Sequence, residues 1–290
     1  RPSKPEGAGM IKPHHPGLLN AFVKRTTPFI SRVFLECGFT RFLPLLESYV
    51  CFIQGKGAGT GWNLQGEILA ALPHIRRHGA VILDVGANVG EWSIRVLEAL
   101  GAAECRLFLF EPSAYCRRVL GSLNLPRTTI IPAAVGDKAG TAAFNSPEPG
   151  SPIGSLHPRR DSYFQEFEFF REQVNVVTID DFMDDYEIDM VDFMKLDIEG
   201  NELAALLGAG RALDARRIRA LTFEFGSQHI NSRTFFHDFW DLLHPAGFSV
   251  YRICPGGFLI PIEEYYEDLE YFRGVTNYLA TLHEADGHQG

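Results

Sequence analysis

The residues that invite a chemical reading lie at the ends of three apolar runs. The first run is Val81-Ile82-Leu83-Asp84-Val85-Gly86-Ala87-Asn88-Val89-Gly90, a strand-like segment that enters a glycine turn. A dinucleotide-binding turn carries G-x-G-x-x-G, in which the second glycine lets the backbone approach a pyrophosphate. Asn88 stands at that position, and its polar side chain blocks a pyrophosphate while still being able to hydrogen-bond a smaller zwitterion. Asp84, two residues before Gly86, repels phosphate and attracts an ammonium group. Glu111 closes the second run, 21 residues beyond Gly90, where a carboxylate accepts hydrogen bonds from ribose hydroxyls. A nucleoside that carries an amino acid and no phosphate is S-adenosylmethionine. The turn residues Asp84, Gly86, Asn88 and Gly90 are therefore expected to hold its methionine end, and Glu111 its ribose.

The other two runs end in carboxylates suited to an acceptor. Lys195-Leu196-Asp197-Ile198-Glu199-Gly200 places Asp197 at a strand end, where it can orient or deprotonate a hydroxyl or bind a divalent cation that acidifies it. Capping of the helix that begins near Asn201 is the structural alternative for Asp197, and more evenly so for Glu199 and Glu202. Glu224 sits in the apolar run Thr222-Phe223-Glu224-Phe225, where a carboxylate is costly to bury without a partner. It is a candidate base or metal ligand, with a salt bridge to an arginine as the alternative. His229, in the loop that follows, is a candidate general base or an ordinary surface histidine. A metal site built from Asp197, Glu224 and His229 is one use of these groups. His74 and His78 share a helical spacing but lack a third ligand and read as a solvated face.

These residues need a scaffold that brings strand ends together, and the apolar pattern supplies one. Strands are predicted at Ala80–Val85, Arg106–Phe110, Thr129–Val135, Met190–Leu196, Ala220–Phe225, Ser249–Cys254 and Phe258–Pro261. Helices are predicted at 65–78, 91–100, 114–123, 201–207 and 234–243. Alternation of this kind predicts a doubly wound α/β fold with its ligand at the carboxyl ends of the strands. Residues 145–173 interrupt it with the cluster NSPEPGSPIGS and the aromatic run YFQEFEFF, read as a substrate loop or a simple surface cover. Before the fold, residues 1–17 read as a disordered leader. Leu18 to Phe52 read as helix interrupted at Pro28 and Pro44, packed on the main domain. The expected division is a leader and helical extension over 1–60 and a catalytic domain over 61–290.

The segments DVGANVGEWS, FEPS, AAVGDKAG, VVTIDDF and MKLDIEGNELAALLGA together resemble the FkbM family of S-adenosylmethionine-dependent methyltransferases, over about residues 65–260. DVGANVG followed by KLDIEGNE is the most specific part. The resemblance implies a class I methyltransferase fold, a Rossmann-like seven-stranded sheet whose last strand runs antiparallel. It also implies O-methylation of hydroxyls on sugars, glycolipids or natural-product small molecules. Within such a fold Asp137 lies where groups surround the adenine, although it also suits a turn through Lys138 to Gly140. Ala134 and Val135 would wall the base. Ser155 resembles the family's serine segment and could touch cofactor or acceptor. Trp62 and Glu67 could close the cofactor cleft or serve in packing and capping.

Composition narrows the field. The net charge is −9 with six lysines, and no basic stripe suggests a nucleic-acid partner. Five scattered cysteines with no metal-type spacing suggest buried thiols in a reducing compartment, and hence a cytoplasmic protein. No segment reads as a signal peptide, and charges at Arg32, Glu36, Arg41 and Glu47 break the most apolar N-terminal stretch, so no transmembrane segment is expected. The cofactor expected is S-adenosylmethionine, with a divalent cation as an open addition, and the partner expected is a small-molecule or glycan acceptor. The alternatives are a non-catalytic S-adenosylmethionine-binding scaffold and, against the side chain at Asn88, a nicotinamide dehydrogenase. N-methylation stays open because no residue reads the acceptor atom.

Overall fold

Strand β1 (His78–Val85) is buried from Ala80 onward, and the computed structural model shows why: it lies in the interior of a parallel array. The structure describes residues 18–59, 63–76, 78–101, 104–159 and 168–282. The proposed leader at 1–17, Trp62 and the centre of the 145–173 insertion lie outside them. The described chain forms two units that meet in sequence at Tyr49 and Val50.

The first unit contains α1 (Leu18–Glu36) and most of α2 (Leu43–Ile53). Contrary to the expected interruption, α1 continues through Pro28. Proline removes one intrahelical donor, and the residues around it keep helical bonding, with Thr27 Oγ1 donating to the Val23 carbonyl at 2.7 Å. Pro44 falls in the first turn of α2, where a missing N–H costs nothing. Among the described residues no helix is long and apolar enough to cross a membrane.

The second unit begins with α3 (Leu64–Ala71) and β1, then α4 (Glu91–Leu100), β2 (Glu104–Phe110) and α5 (Ala114–Leu123). Next come β3 (Thr128–Ile131), β4 (Ala133–Val135), β5 (Gly140–Ser146), β6 (Phe170–Val177), α6 (Ile179–Asp185) and β7 (Val191–Leu196). The chain closes with α7 (Glu202–Leu207), α8 (Gly210–Asp214), β8 (Ile218–Gly226), α9 (His229–Ser232), α10 (Phe236–Leu243), β9 (Phe248–Ile253), β10 (Leu259–Ile262) and β11 (Val275–Leu282).

The main sheet has eight strands in the order β10-β9-β11-β8-β7-β1-β2-β3, one more than expected. The strand of this sheet not predicted from the sequence is β11, while β10, predicted at Phe258–Pro261, folds back antiparallel on the outer edge of β9. The core from β3 to β8 is parallel, and β11 runs antiparallel to both β8 and β9. Alternate residues of β1 and β2 feed two separate cores, as a period of two requires. Leu83, Val85, Phe108 and Phe110 face α6, α7, α8 and α10 through Phe182, Ala205, Ala212 and Phe239. Ile82, Leu107 and Leu109 face α3, α4 and α5 through Ile68, Trp92 and Leu120. The sheet is thus covered by helices on both faces, which explains the nearly unbroken apolar runs of β1 and β7.

The predicted strand Thr129–Val135 is two strands in two sheets. Pro132 lacks the N–H a ladder needs, so β3 ends on β2 while β4 pairs with β6 in a second sheet, β4-β6-β5. The 145–173 insertion therefore springs from the antiparallel hairpin β5–β6.

Candidate functional site

The carboxyl ends of β1, β2, β4, β7 and β8 surround one cavity of about 550 Å³. Its floor is the β1–α4 turn. Gly86 has φ 87°, and a Cβ added there would meet the Asp197 carbonyl at 1.9 Å, because the end of β7 crosses directly over the turn. Only glycine fits that approach. Asn88 also takes a left-handed conformation, φ 48°, which asparagine tolerates better than most residues. Its backbone N–H donates to Glu111 Oε2 at 2.8 Å, and Ser113 N–H donates to Oε1 at 2.7 Å. Glu111 is thus locked at the end of β2 with acceptor capacity to spare, and burial pushes its carboxyl up to about 7. Ala133, Ala134, Val135 and Phe110 form an apolar wall beside it.

The opposite end of the cavity is ionic. Asp84 and Lys195 face each other across β1 and β7 in the strand register. Lys195 Nζ lies 3.6 Å from Asp84 Oδ1 and 2.8 Å from Asp197 Oδ2. Burial works against its charge, yet Asp197 and Asp84 more than reverse this and hold the ammonium above its ordinary range. Glu67 of α3 lines the same end, and burial raises it to about 7 despite Lys195. Glu199 is raised to about 8 by burial and by Asp197, although Arg159 NH2 meets its Oε2 at 2.5 Å. Glu224 projects from β8 into this group and is only 8% exposed. Among the described residues no hydrogen bond or cation meets its carboxylate, and burial together with the fields of Asp197 and Glu199 pushes it well up.

Gly86, Asn88, Glu111, Asp197 and Glu224 are thus brought together around one cavity, while five other predicted site residues lie outside its lining. Asp84 is fully buried beneath the turn, where Ser93 Oγ donates to it at 2.5 Å, so its charge serves Lys195 rather than an open ammonium site. Gly90 starts α4 with φ 87°, and a Cβ there would strike Leu120 of α5, so this glycine serves helix packing. Asp137 is exposed beside Lys138, because the chain leaves the cavity once β4 ends at Val135. Ser155 is buried, and its Oγ donates to the Glu199 carbonyl at 2.7 Å, fixing that loop from below.

His229 is neither a surface residue nor open to the cavity. It is 1% exposed, its Nδ1 accepts from Gly226 N–H at 3.3 Å, and its Nε2 lies 3.1 Å from Glu202 Oε2. Glu202 in turn accepts from Ile198 N–H and Gly200 N–H, both at 2.9 Å. His229 is thus set apart from Asp197 and Glu224, whose carboxylates, with that of Glu199, bring one oxygen each within 4.8 Å of one another. Sequence reading gave no role to Lys195. The available signal was a lysine in a buried run with an acid two residues on, since both then lie on one face of the strand.

With this geometry in place, the methyltransferase FkbM domain matches residues 84–250, more than half of the chain. The chain belongs to the FkbM methyltransferase family. As a member it is a class I methyltransferase whose methyl donor is S-adenosylmethionine. Comparison with curated proteins gives no match. Among solved structures, the FkbM methyltransferase from Methylobacillus flagellatus KT is similar with 18% identity and a TM-score of 0.44 over 71% of this chain, which spans 44% of that one. The precorrin-6y C5,15-methyltransferase from Geobacter metallireducens GS-15 has 14% identity and a TM-score of 0.38, with 75% of this chain and 87% of that one covered. The magnesium protoporphyrin IX methyltransferase from Synechocystis PCC 6803, with S-adenosylhomocysteine bound, has 10% identity and a TM-score of 0.37, with 76% and 81% covered.

Proposed function

We propose that this FkbM-family chain transfers the methyl group of S-adenosylmethionine to a hydroxyl oxygen of a sugar, glycolipid or natural-product small molecule. In this reading the ribose hydroxyls donate to Glu111, the adenine lies along Ala133–Val135 and Phe110, and the methionine end reaches towards Glu67 and Lys195. The sulfonium methyl then faces Asp197 and Glu224.

The observation that carries the reading is Glu224. A neutral hydroxyl is a weak nucleophile and must lose its proton as it attacks, so the site needs an acceptor for that proton. Asp197 already spends one oxygen on Lys195. Glu224 has no such partner among the described residues, and burial with the neighbouring acids raises its affinity for a proton. The acceptor oxygen attacks the methyl carbon in line, the new C–O bond forms, and the C–S bond breaks with its electron pair passing to sulfur. S-adenosylhomocysteine leaves, and the hydroxyl proton resides on Glu224. Positioning of the two reactants supplies much of the rate.

The test is incubation with S-adenosylmethionine and a panel of hydroxyl and amine acceptors, read by mass spectrometry for one added methyl group and by the NMR shift of that methyl carbon. Methylation confined to nitrogen overturns the hydroxyl assignment. Binding of S-adenosylhomocysteine with no turnover across a broad panel favours the non-catalytic scaffold.

A further inference from the structure

We infer that Asp197, Glu199 and Glu224 form a binding site for one hard divalent cation, Mg²⁺ or Mn²⁺, at the acceptor end of the cavity. Its chemical use rests on the hydroxyl reading above, whereas its binding does not.

The three carboxylates come from adjacent structure. Asp197 and Glu199 follow β7, and Glu224 lies in β8, paired to β7 through Leu196 and Phe223. One oxygen from each lies within 4.8 Å of the others. On an octahedral ion with metal–oxygen distances of about 2.1 Å, neighbouring ligand oxygens stand about 3 Å apart and opposite ones about 4 Å. Small side-chain rotations close the observed spacing onto a single ion.

A cluster of acids alone would not identify a ligand. The partners of each carboxylate do. Lys195 occupies Oδ2 of Asp197 and Arg159 occupies Oε2 of Glu199, so each side chain keeps one oxygen free of these cations while the other is fixed from behind. Glu224 is more than nine-tenths buried, lines the cavity, and meets neither a cation nor a donor among the described residues. A buried carboxylate left in this state is costly unless something compensates it. Among the described residues Lys195 and Arg159 are engaged elsewhere, so neither compensates Glu224, and a bound cation would.

The donor set selects the ion. All three donors are oxygens, with no thiolate, and His229, the histidine first considered as a ligand, is turned away onto Glu202. Carboxylate oxygens suit Mg²⁺ and Mn²⁺ over zinc or copper. Three protein ligands leave about three octahedral positions for water and for an acceptor hydroxyl, whose proton the ion would make easier to lose.

The test uses the full chain after chelator treatment, titrated with Mn²⁺ and read by the electron paramagnetic resonance signal of the free ion, with no acceptor present. One saturable site per chain, displaced by Mg²⁺, is expected. Glu224→Gln should weaken it by at least about tenfold. Glu98→Gln, on the exposed face of α4, should leave it unchanged. S-adenosylhomocysteine binding by each variant verifies that it is folded. Absence of saturable Mn²⁺ binding in a chain that binds S-adenosylhomocysteine overturns the site, and a proton then neutralises Glu224. Equal Mn²⁺ affinity in the native chain, Glu224→Gln and Asp197→Asn overturns it as well. If the chain methylates a hydroxyl yet binds no Mn²⁺, only the metal inference falls. If it binds Mn²⁺ but methylates only nitrogen, the site stands and the acceptor reading falls.

Discussion

Glu111 and Glu224 are both buried carboxylates lining the same cavity, and their neighbours give them different uses. Glu111 accepts two backbone N–H bonds, which hold it in place and leave lone pairs directed outward. Ribose hydroxyls donate best to its ionised form. Because burial places its carboxyl at about 7, affinity for S-adenosylhomocysteine should rise as pH passes upward through that value and then level. Calorimetry across this range should show the rise in the native chain and a flat profile in Glu111→Gln. Above that range the variant should bind about ten- to hundredfold more weakly, the worth of about 1.5–3 kcal/mol for bonds to a charged acceptor. Glu224→Gln should behave in the opposite way, keeping S-adenosylhomocysteine affinity while turnover falls by about 10²–10⁴-fold, as removal of a general base does. A variant with normal turnover would remove Glu224 from the reaction.

At the scale of elements, the site depends on how one short loop is held. Ile198–Gly200 lies between β7 and α7, with Glu199 at φ 55° and Gly200 at φ 102°. Glu202 ties down two of its N–H groups, His229 backs Glu202, and Ser155 holds the Glu199 carbonyl. His229→Ala leaves Gly226 N–H without its ring acceptor and removes the imidazole beside Glu202, which keeps its two N–H donors, so it should cost about 1–3 kcal/mol, read from the urea midpoint. Turnover should fall with it, but the pH–rate profile should keep its shape, because His229 exchanges no proton with the acceptor. A lost or displaced limb in that profile would return His229 to a catalytic role. The sequence showed the loop's ends but not this clamp. Residues 91–100 and 114–123 were legible as helices because their apolar periodicity and flanking glycine and serine are local signals. The clamp joins residues 155, 199, 202 and 229, and such contacts arise only once β5, β7 and β8 have assembled. Three strands were missed for related reasons. β11 follows a run of turn residues, and β5–β6 encloses a polar insertion, so neither stands out as an apolar run between helices. Asp84 was placed on the cofactor from its position in the turn. Its actual partner is Lys195, which lies 111 positions away in the chain and one strand away in the sheet.

At the scale of the whole molecule, the second unit concentrates acids at one end of its sheet, and this shapes its response to pH. Glu67 and Glu111 are both held at about 7 by burial, against about 4.5 for an ordinary glutamate. Between these values the folded chain keeps two protons that the unfolded chain releases. Stability then falls as pH rises, because the unfolded state binds fewer protons over that window. The contribution of the two groups is fully present below about 4.5 and is lost as pH passes through about 7, of the order of a few kcal/mol in total. Melting temperature of the chelator-treated chain should accordingly be higher near pH 6 than near pH 8, with salt held constant. In Glu67→Gln/Glu111→Gln the descent should flatten, since the amides carry no charge to desolvate. Saturation with S-adenosylmethionine, whose sulfonium and ammonium groups bring positive charge to the same end of the cavity, should also raise the melting temperature more at pH 8 than at pH 6. A native profile that stays level or climbs between these two pH values would show that Glu67 and Glu111 are ionised in the folded chain with little cost, and that their burial is offset by solvent reaching the cavity.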